Sequence, residues 1–183
     1  MKDRKCGDRV SCETHIPCGE CYFCKNGMPH ICGNIQLFGC TQNGAFAEYT
    51  KIRSDCTFLL DDDLPYEAAC MFEPMGAGVH GVEAADVAGK IVLVNGCGPI
   101  GLTAVSASKT FGAKKVIACD LLDARLEAAK EMGADLVFNS GKCDLVAEVR
   151  ELTEGIGVDA AIDITGAEAA INTALKCLRA AGR

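Results

Sequence analysis

The stretch KIVLVNGCGPIGLTAVSASKTFG, residues 90–112, decides the fold. An apolar run typical of a buried strand is followed by a turn with the pattern G-x-G-x-x-G and then by a helical pattern. Gly96 allows a tight turn, Gly98 leaves room for a pyrophosphate, and Gly101 lets the helix pack closely on the strand. In a chain with 20 glycines the pattern alone is weak. Its position between a strand and a helix predicts a dinucleotide-binding loop.

The helix after the glycines is expected to bind an anion. Pro99 and Ile100 occupy its first turn, where the free amides and the helix dipole would point at a pyrophosphate lying over the loop. The next apolar run ends at Asp120, whose carboxylate would accept hydrogen bonds from the adenosine ribose and repel a 2′-phosphate. Asp120 therefore favours NAD over NADP, and Arg125 is a candidate neighbour of the adenosine. The alternatives are a helix-capping aspartate and an exposed helical arginine.

Strand and helix patterns alternate through the rest of the chain. The apolar runs KIVLV, KKVIAC, ADLVFN and VDAAIDIT are continuous, as in parallel strands buried on both faces. Two further runs have apolar residues at helical spacing: Leu122, Leu126, Ala129 and Met132, then Leu145, Val146, Val149 and Leu152. We predict an α/β fold with the first part of a doubly wound parallel sheet (Rossmann), in the order 3-2-1-4. The fourth strand would be an uncovered apolar edge, which invites pairing with another chain.

The sequence before residue 72 has a different texture. Residues 7–60 have the pattern of short strands and turns, with β-type residues in GDRVSC, GAFAEYTKI and CTFLL. We place the boundary so that residues 1–72 form a mainly β domain and residues 73–183 the α/β domain. A chain of 183 residues is long enough for two small domains with hydrophobic cores.

Four cysteines lie close together in IPCGECYFCKNGMPHIC. Their spacing is C-x2-C-x2-C-x7-C, at Cys18, Cys21, Cys24 and Cys32. A disulfide pair, an iron–sulfur cluster and a tetrahedral metal site are the three alternatives. The remaining cysteines of the 13 are scattered singly, several of them in apolar runs. Such scatter is not a disulfide framework and suits a reducing compartment.

Composition argues against several classes of partner. With 18 basic and 25 acidic side chains the net charge is −7, which would repel a phosphate backbone or an anionic membrane. No apolar run approaches the roughly 20 residues that cross a bilayer, and MKDRKCGDRV lacks the apolar core of a signal peptide. We expect a cytoplasmic protein with no nucleic-acid partner and no membrane partner.

In order and spacing, these motifs resemble the zinc-dependent medium-chain dehydrogenase (alcohol dehydrogenase) family. GDRV, the four-cysteine lobe, GAFAEY, EPMGAGVH and NGCGPIG carry the resemblance, which covers essentially the whole chain. THIPCGEC and EPMGAGVH are most similar to the L-threonine 3-dehydrogenase and sorbitol (polyol) dehydrogenase branch. The resemblance implies a GroES-like catalytic domain before the Rossmann domain and NAD-dependent oxidation of a secondary alcohol by hydride transfer. It also implies a small-molecule alcohol substrate and a homo-oligomer for the full-length form.

The resemblance implies roles for particular residues. In such enzymes the four-cysteine lobe holds a structural zinc (Zn2+), and four thiolates leave no position open for water. Glu73 of EPMG matches an acidic or water-mediated ligand of the catalytic zinc; the alternative is an exposed carboxylate at a helix start. His15 matches a histidine that faces the active site, where it would orient substrate or relay a proton, and a surface histidine is the alternative.

One part of the family pattern is missing. The family binds its catalytic zinc through a Cys in a CGTD-like motif and a His–Glu pair in GHE, both upstream of GDRV, and this sequence contains neither. We therefore interpret the sequence as an internal fragment of such an enzyme. A non-catalytic zinc- and dinucleotide-binding module and an iron–sulfur electron-transfer protein are the alternative functions.

The chain of 183 residues is accordingly expected not to turn over alcohol. A catalytic zinc needs three protein ligands and an open position, and outside the lobe the sequence offers only Glu73. A spectrophotometric assay of NAD reduction with threonine and with sorbitol checks this expectation. Zinc-dependent NAD reduction by the 183-residue protein, abolished by Glu73→Ala, would contradict it.

Overall fold

The structure, a computed structural model, describes residues 4–183 in two compact units, Met1–Glu73 and Pro74–Arg183. Within the described part of the chain, no helix is long and apolar enough to cross a membrane. The elements up to the end of the first unit are short: β1 (Val10–Cys12), β2 (His15–Ile16), α1 (Tyr22–Lys25), β3 (Gln36–Leu37), β4 (Thr57–Leu59) and α2 (Tyr66–Ala69).

Longer elements follow and alternate regularly. They are α3 (Phe72–Ala85), β5 (Ile91–Asn95), α4 (Pro99–Thr110), β6 (Lys115–Asp120), α5 (Asp123–Glu131), β7 (Leu136–Asn139), α6 (Leu145–Leu152), β8 (Ala160–Asp163) and α7 (Glu168–Cys177). The four strands β5 to β8 form one parallel sheet in the order β7-β6-β5-β8. The predicted order 3-2-1-4 is therefore confirmed.

The central strand β5 is buried on both faces, which explains its uninterrupted apolar sequence. Val92 and Val94 belong to a hydrophobic cluster that includes Val105 of α4. Leu93, which points to the opposite face, belongs to a second cluster that includes Val149 of α6. Helices thus cover both faces of the sheet, as in a doubly wound fold.

The predicted apolar stripe of α5 is shorter than expected. Leu126 and Ala129 are buried, but Leu122 is 53% exposed and Met132 is 38% exposed. Leu122 precedes the helix and Met132 follows it, so neither side chain continues the helical face. Leu152 at the end of α6 is likewise exposed.

The first unit contains two small antiparallel ladders. β1 pairs with β4, with Val10 opposite Leu59, and β2 pairs with β3. The segment GAFAEYTKI, residues 44–52, forms no strand, so the β character expected for it is wrong. Phe46 and Tyr49 within it are almost fully exposed. Residues with β propensity form a strand only where a neighbouring strand exchanges backbone hydrogen bonds with them, and no segment of residues 4–183 does so here.

The edge of the sheet at β8 is not bare, contrary to the expectation of an uncovered edge. The N–H groups of Arg179 and Arg183 donate to the carbonyl oxygens of Val158 and Asp159, each over 3.0 Å. In return, the N–H of Ala161 donates to Arg183 O over 2.8 Å. The residues after α7 thereby satisfy backbone groups that would otherwise be available to another chain.

The nine single cysteines differ in burial, and two of them, Cys12 and Cys143, are half-buried. Four others are buried as small hydrophobic side chains: Cys56, Cys97, Cys119 and Cys177. Three are exposed instead: Cys6, Cys40 and Cys70. All 13 thiols are unbonded to one another, so the disulfide alternative is not supported by the structure.

Gly101→Ala should destabilise the second unit, because a Cβ there would lie 1.8 Å from the backbone oxygen of Gly96. Overpacking against backbone costs about 1–3 kcal/mol or more. Gly98→Ala is the matched control, because a Cβ at Gly98 meets nothing within 4 Å and its φ of −73° suits alanine. We expect this control to change the free energy of unfolding, measured in urea, by less than about 1 kcal/mol. Equal stability of both variants would contradict the prediction.

Candidate functional site

A cleft of about 570 Å³ opens at the carboxyl ends of β5, β6 and β8. Four of the residues predicted to contact a cofactor line it: Gly96, Gly98, Asp120 and Arg125. Pro99, Ile100 and Gly101 form the first turn of α4 and do not line the cleft. Ligands of open α/β sheets bind outside the carboxyl ends of the strands, so the cleft has the position expected of a dinucleotide site.

The glycine turn has the geometry that a pyrophosphate requires. Gly96 has φ +99°, and a Cβ there would approach Thr165 Cγ2 to 2.9 Å. Gly98 precedes α4 as its N-cap and accepts a hydrogen bond from Leu102 N–H over 2.9 Å. The space beside Gly98 is open, and the amides of the first turn of α4 lie at a helix start where an anion is favoured. The loop therefore fits the phosphates of a dinucleotide.

Asp120 is tied to the glycine turn as well as to the cleft. Its Oδ2 accepts a hydrogen bond from Cys97 N–H over 2.8 Å, and its Oδ1 accepts one from Leu122 N–H over 2.9 Å. Arg125 Nη1 lies 3.6 Å from the same Oδ2. Burial acts to raise the pKa of Asp120, but these backbone hydrogen bonds and the Arg125 charge outweigh it, and the pKa is lowered. The carboxylate is therefore negatively charged at neutral pH.

The sequence did not predict the polar network that joins Asn95 and Thr165 to Asp163 at the carboxyl ends of β5 and β8. Asn95 and Asp163 face each other in the register of β5 and β8, and Asn95 Nδ2 donates to Asp163 Oδ1 over 2.9 Å. Thr165 Oγ1 donates to the same carboxylate oxygen over 2.9 Å. Asn95 and Thr165 line the cleft. The available signal was a polar residue at the end of each of two buried strands, KIVLVN and AAID.

The four-cysteine lobe brings its sulfur atoms to the spacing of a tetrahedral metal site. The Sγ–Sγ distances are 3.5 Å for Cys18–Cys32 and for Cys21–Cys24, 3.8 Å for Cys21–Cys32 and 4.0 Å for Cys18–Cys24. Four sulfurs each about 2.3 Å from one zinc ion would be about 3.8 Å apart. A disulfide would need about 2.05 Å. A cluster of several iron and sulfide ions is larger than a single ion and would need more widely spaced thiols.

Short local elements build this lobe. Cys21 precedes the single-turn helix α1 and Cys24 lies within it, so a spacing of three residues brings their thiols to the same side. Gly27, with φ +76°, then reverses the chain. Cys32 follows a 3₁₀ turn over Pro29–Ile31 and is buried.

The thiols of the lobe have different electrostatic environments. Backbone N–H groups of Cys18 and Asn34 point at Cys32 Sγ over 3.4 and 3.3 Å. Hydrogen bonds from the backbone of Glu20 and Cys21 lower the pKa of Cys18 to about 6. Desolvation raises the pKa of Cys24 to about 11. A cation among the four sulfur atoms would favour the thiolate form of each, and a zinc ion fits both the spacing and the donor set.

A second group of potential ligands involves His15 and Glu73, whose roles were predicted, and Glu13, which the sequence analysis missed. The nearest ligand atoms of the three side chains all lie within 4.8 Å of one another. His15 Nδ1 is 2.8 Å from Glu13 Oε1, and Thr14 Oγ1 donates to Glu73 Oε1 over 2.9 Å. Burial acts to raise the pKa of Glu13, but hydrogen bonds from His15 and from the Thr14 backbone lower it. Glu73 lies in the first turn of α3, but it is hydrogen-bonded rather than a free exposed carboxylate.

Comparison with known proteins agrees with this architecture. Residues 1–62 match the family described as alcohol dehydrogenase GroES-like domain, and residues 99–183 match the family described as zinc-binding dehydrogenase. L-threonine 3-dehydrogenase of Pyrococcus abyssi is 41% identical over 177 residues, which are 97% of this chain and 51% of the relative. Sorbitol dehydrogenase of Bacillus subtilis is 40% identical over 181 residues, 98% of this chain and 51% of the relative.

A similar solved structure, that of a protein from Sinorhizobium meliloti bound to NADP, has a TM-score of 0.91 and 27% sequence identity. The match covers 100% of this chain and 54% of the Sinorhizobium meliloti protein. The chain spans about half the length of the curated relatives it matches. Because the matches to both domain types and to both relatives extend along most of the sequence, this chain belongs to the zinc-dependent medium-chain dehydrogenase family.

Proposed function

We propose that the chain is the zinc- and dinucleotide-binding part of a dehydrogenase that oxidises a secondary alcohol with NAD. The observation that carries the proposal is the presence, in one chain, of four thiols at tetrahedral spacing and a glycine turn pinned by Asp120. The names of the relatives favour threonine or a polyol as the substrate. A homo-oligomeric, cytoplasmic enzyme without a nucleic-acid or membrane partner completes the proposal, and the unbonded thiols suit a reducing compartment.

Different residues along the cleft would bind different parts of NAD. NAD, when bound, accepts the hydride that leaves the alcohol carbon. Gly96, Gly98 and the first turn of α4 would hold the pyrophosphate, and Asp120 would accept hydrogen bonds from the adenosine ribose. Asn95 and Asp163, at the ends of β5 and β8, would orient the nicotinamide half and limit water in that part of the cleft.

NADP is the second candidate cofactor. Arg125 lines the same cleft beside Asp120, and an arginine can pair with a 2′-phosphate. The similar protein bound to NADP also supports this alternative. We favour NAD because Asp120 is only 7% exposed and held in place by two backbone amides, so its charge cannot easily turn away from a 2′-phosphate.

The chain supports a structural zinc site more fully than a catalytic zinc site. The lobe provides four thiolate ligands and so a closed, structural site that stabilises a loop with few buried side chains. For a catalytic zinc, Glu73 as an acidic or water-mediated ligand stays a prediction. Glu73, Glu13 and His15 engage in hydrogen bonds within their own cluster, which accounts for their positions without a metal.

Cys21→Ser should release one zinc per chain, because it leaves only three thiolates for a site that closes with four. Cys40→Ser is the matched control, since Cys40 is an exposed thiol outside the lobe. Metal content is measured by mass spectrometry after dialysis, and the control should keep its zinc. Zinc retained by Cys21→Ser, or iron with visible absorbance in the unmodified protein, would contradict a structural zinc.

Asp120→Asn should narrow the preference for NAD, because it removes the charge that opposes a 2′-phosphate while keeping the size of the side chain. We expect the dissociation constant for NADP divided by that for NAD, both measured by calorimetry, to fall by about tenfold, which corresponds to about 1.4 kcal/mol. Asp86→Asn is the control: Asp86 is exposed before β5, at the opposite end of the strand from the cleft, and its φ of +52° suits asparagine. Tighter binding of NADP than of NAD by the unmodified chain would instead support the second candidate.

A further inference from the structure

The turn between β1 and β2 holds His15 in a defined orientation. A single oxygen of Glu13, Oε1, accepts hydrogen bonds from the backbone N–H of His15 over 2.9 Å and lies 2.8 Å from Nδ1 of its ring. The carboxylate is therefore fixed by the same residue whose side chain it contacts. Such a two-point contact restricts the ring more than a hydrogen bond between two mobile side chains would.

The contact between Glu13 Oε1 and His15 Nδ1 determines which ring nitrogen carries the hydrogen. A carboxylate is only an acceptor, so at 2.8 Å from Glu13 Oε1 the Nδ1 atom must be a donor. A neutral imidazole has one N–H, which leaves Nε2 as an acceptor with a free lone pair.

A contact between Thr14 Oγ1 and His15 Nδ1 leads to the same assignment independently. The only hydroxyl hydrogen of Thr14 is donated to Glu73 Oε1 over 2.9 Å. Thr14 Oγ1 also lies 3.3 Å from His15 Nδ1, and with its hydrogen already used it can only accept there. Two oxygens that can only accept therefore face Nδ1, and the hydroxyl links the ring to Glu73.

We infer that Glu13 is a positioning residue that holds His15 in the Nδ1–H tautomer and so presents Nε2 as the acceptor for a substrate hydroxyl. This inference rests on the proposed function in that it takes the alcohol as the group facing His15. The His15 side chain is 50% exposed, and Nε2 makes no hydrogen bond within residues 4–183.

The chemical consequence is a route for the alcohol proton. When the substrate O–H bond breaks, its proton forms a bond to Nε2, and the ring becomes an imidazolium whose positive charge is neutralised by the Glu13 carboxylate. The electron pair of the O–H bond stays on the substrate oxygen and forms the new C=O bond as the hydride leaves the alcohol carbon for NAD, the acceptor named in the proposed function. Without Glu13, the ring is free to place its hydrogen on Nε2 and to donate where it should accept.

The test is an NMR measurement of the tautomer in the 183-residue chain with ¹⁵N-labelled histidine. The protein has three histidines, so His15→Asn assigns the ring of interest by the loss of one set of signals. At a pH where the ring is neutral, we expect Nδ1 to be protonated and Nε2 not. Glu13→Ala should shift His15 towards the Nε2–H form that free histidine prefers in water, whereas Glu13→Gln, whose amide oxygen can still accept, should retain Nδ1–H.

Two control variants show whether a change of the His15 tautomer is specific to the loss of Glu13. Glu48→Ala removes an exposed glutamate from another loop and should leave the ring unchanged, and Thr14→Val should retain Nδ1–H because Glu13 remains. An Nε2–H ring in the unmodified chain overturns the inference, and so does an unchanged tautomer in folded Glu13→Ala. If Glu13→Ala does not fold, the tautomer of the unmodified chain decides alone. Zinc content and NAD binding test the proposed function separately, since the tautomer measurement needs neither.

Discussion

The close approach of α4 to the carboxyl end of β5 is the contact on which the dinucleotide cleft depends. It is possible because Gly101 has no side chain to collide with the backbone oxygen of Gly96. A second glycine, Gly78 of α3, lies against α4 in the same way, since a Cβ there would come within 2.4 Å of Thr103 Oγ1. With α4 held this near, the amides of its first turn border the open space beside Gly98, where a phosphate group would be stabilised.

Asp120 links this helix start to the rest of the sheet. By accepting hydrogen bonds from Cys97 in the glycine turn and from Leu122 at the start of α5, it joins two βα connections at the edge of the cleft. In the proposed function, the same carboxylate would accept hydrogen bonds from the ribose. Because Asp120 fixes its own loop in this way, the loop is preorganised, and less free energy would be needed to order it on binding a ligand.

The two units are stabilised in different ways. The second unit has hydrophobic clusters on both faces of its sheet, with Leu93 and Ile117 completely buried. The lobe of the first unit has single-turn elements and buries little beyond Cys32 and Ile16. A loop that cannot bury enough apolar surface needs another source of stability, and four thiols at metal-binding distance would supply it through a zinc ion.

By itself, the sequence determined the parallel sheet, its strand order, the glycine turn and the cysteine spacing, because each of these is written in local periodicity or in fixed short intervals. Only the tertiary structure decided which distant residues meet. Asn95 faces Asp163 through strand register, and Thr14 reaches Glu73 across 59 positions of sequence. It also decided that residues 44–52 form no strand and that the last residues bond the edge at β8. Hydrogen bonds between separate segments depend on how those segments pack, and a local pattern records the burial of a side chain but not its partner.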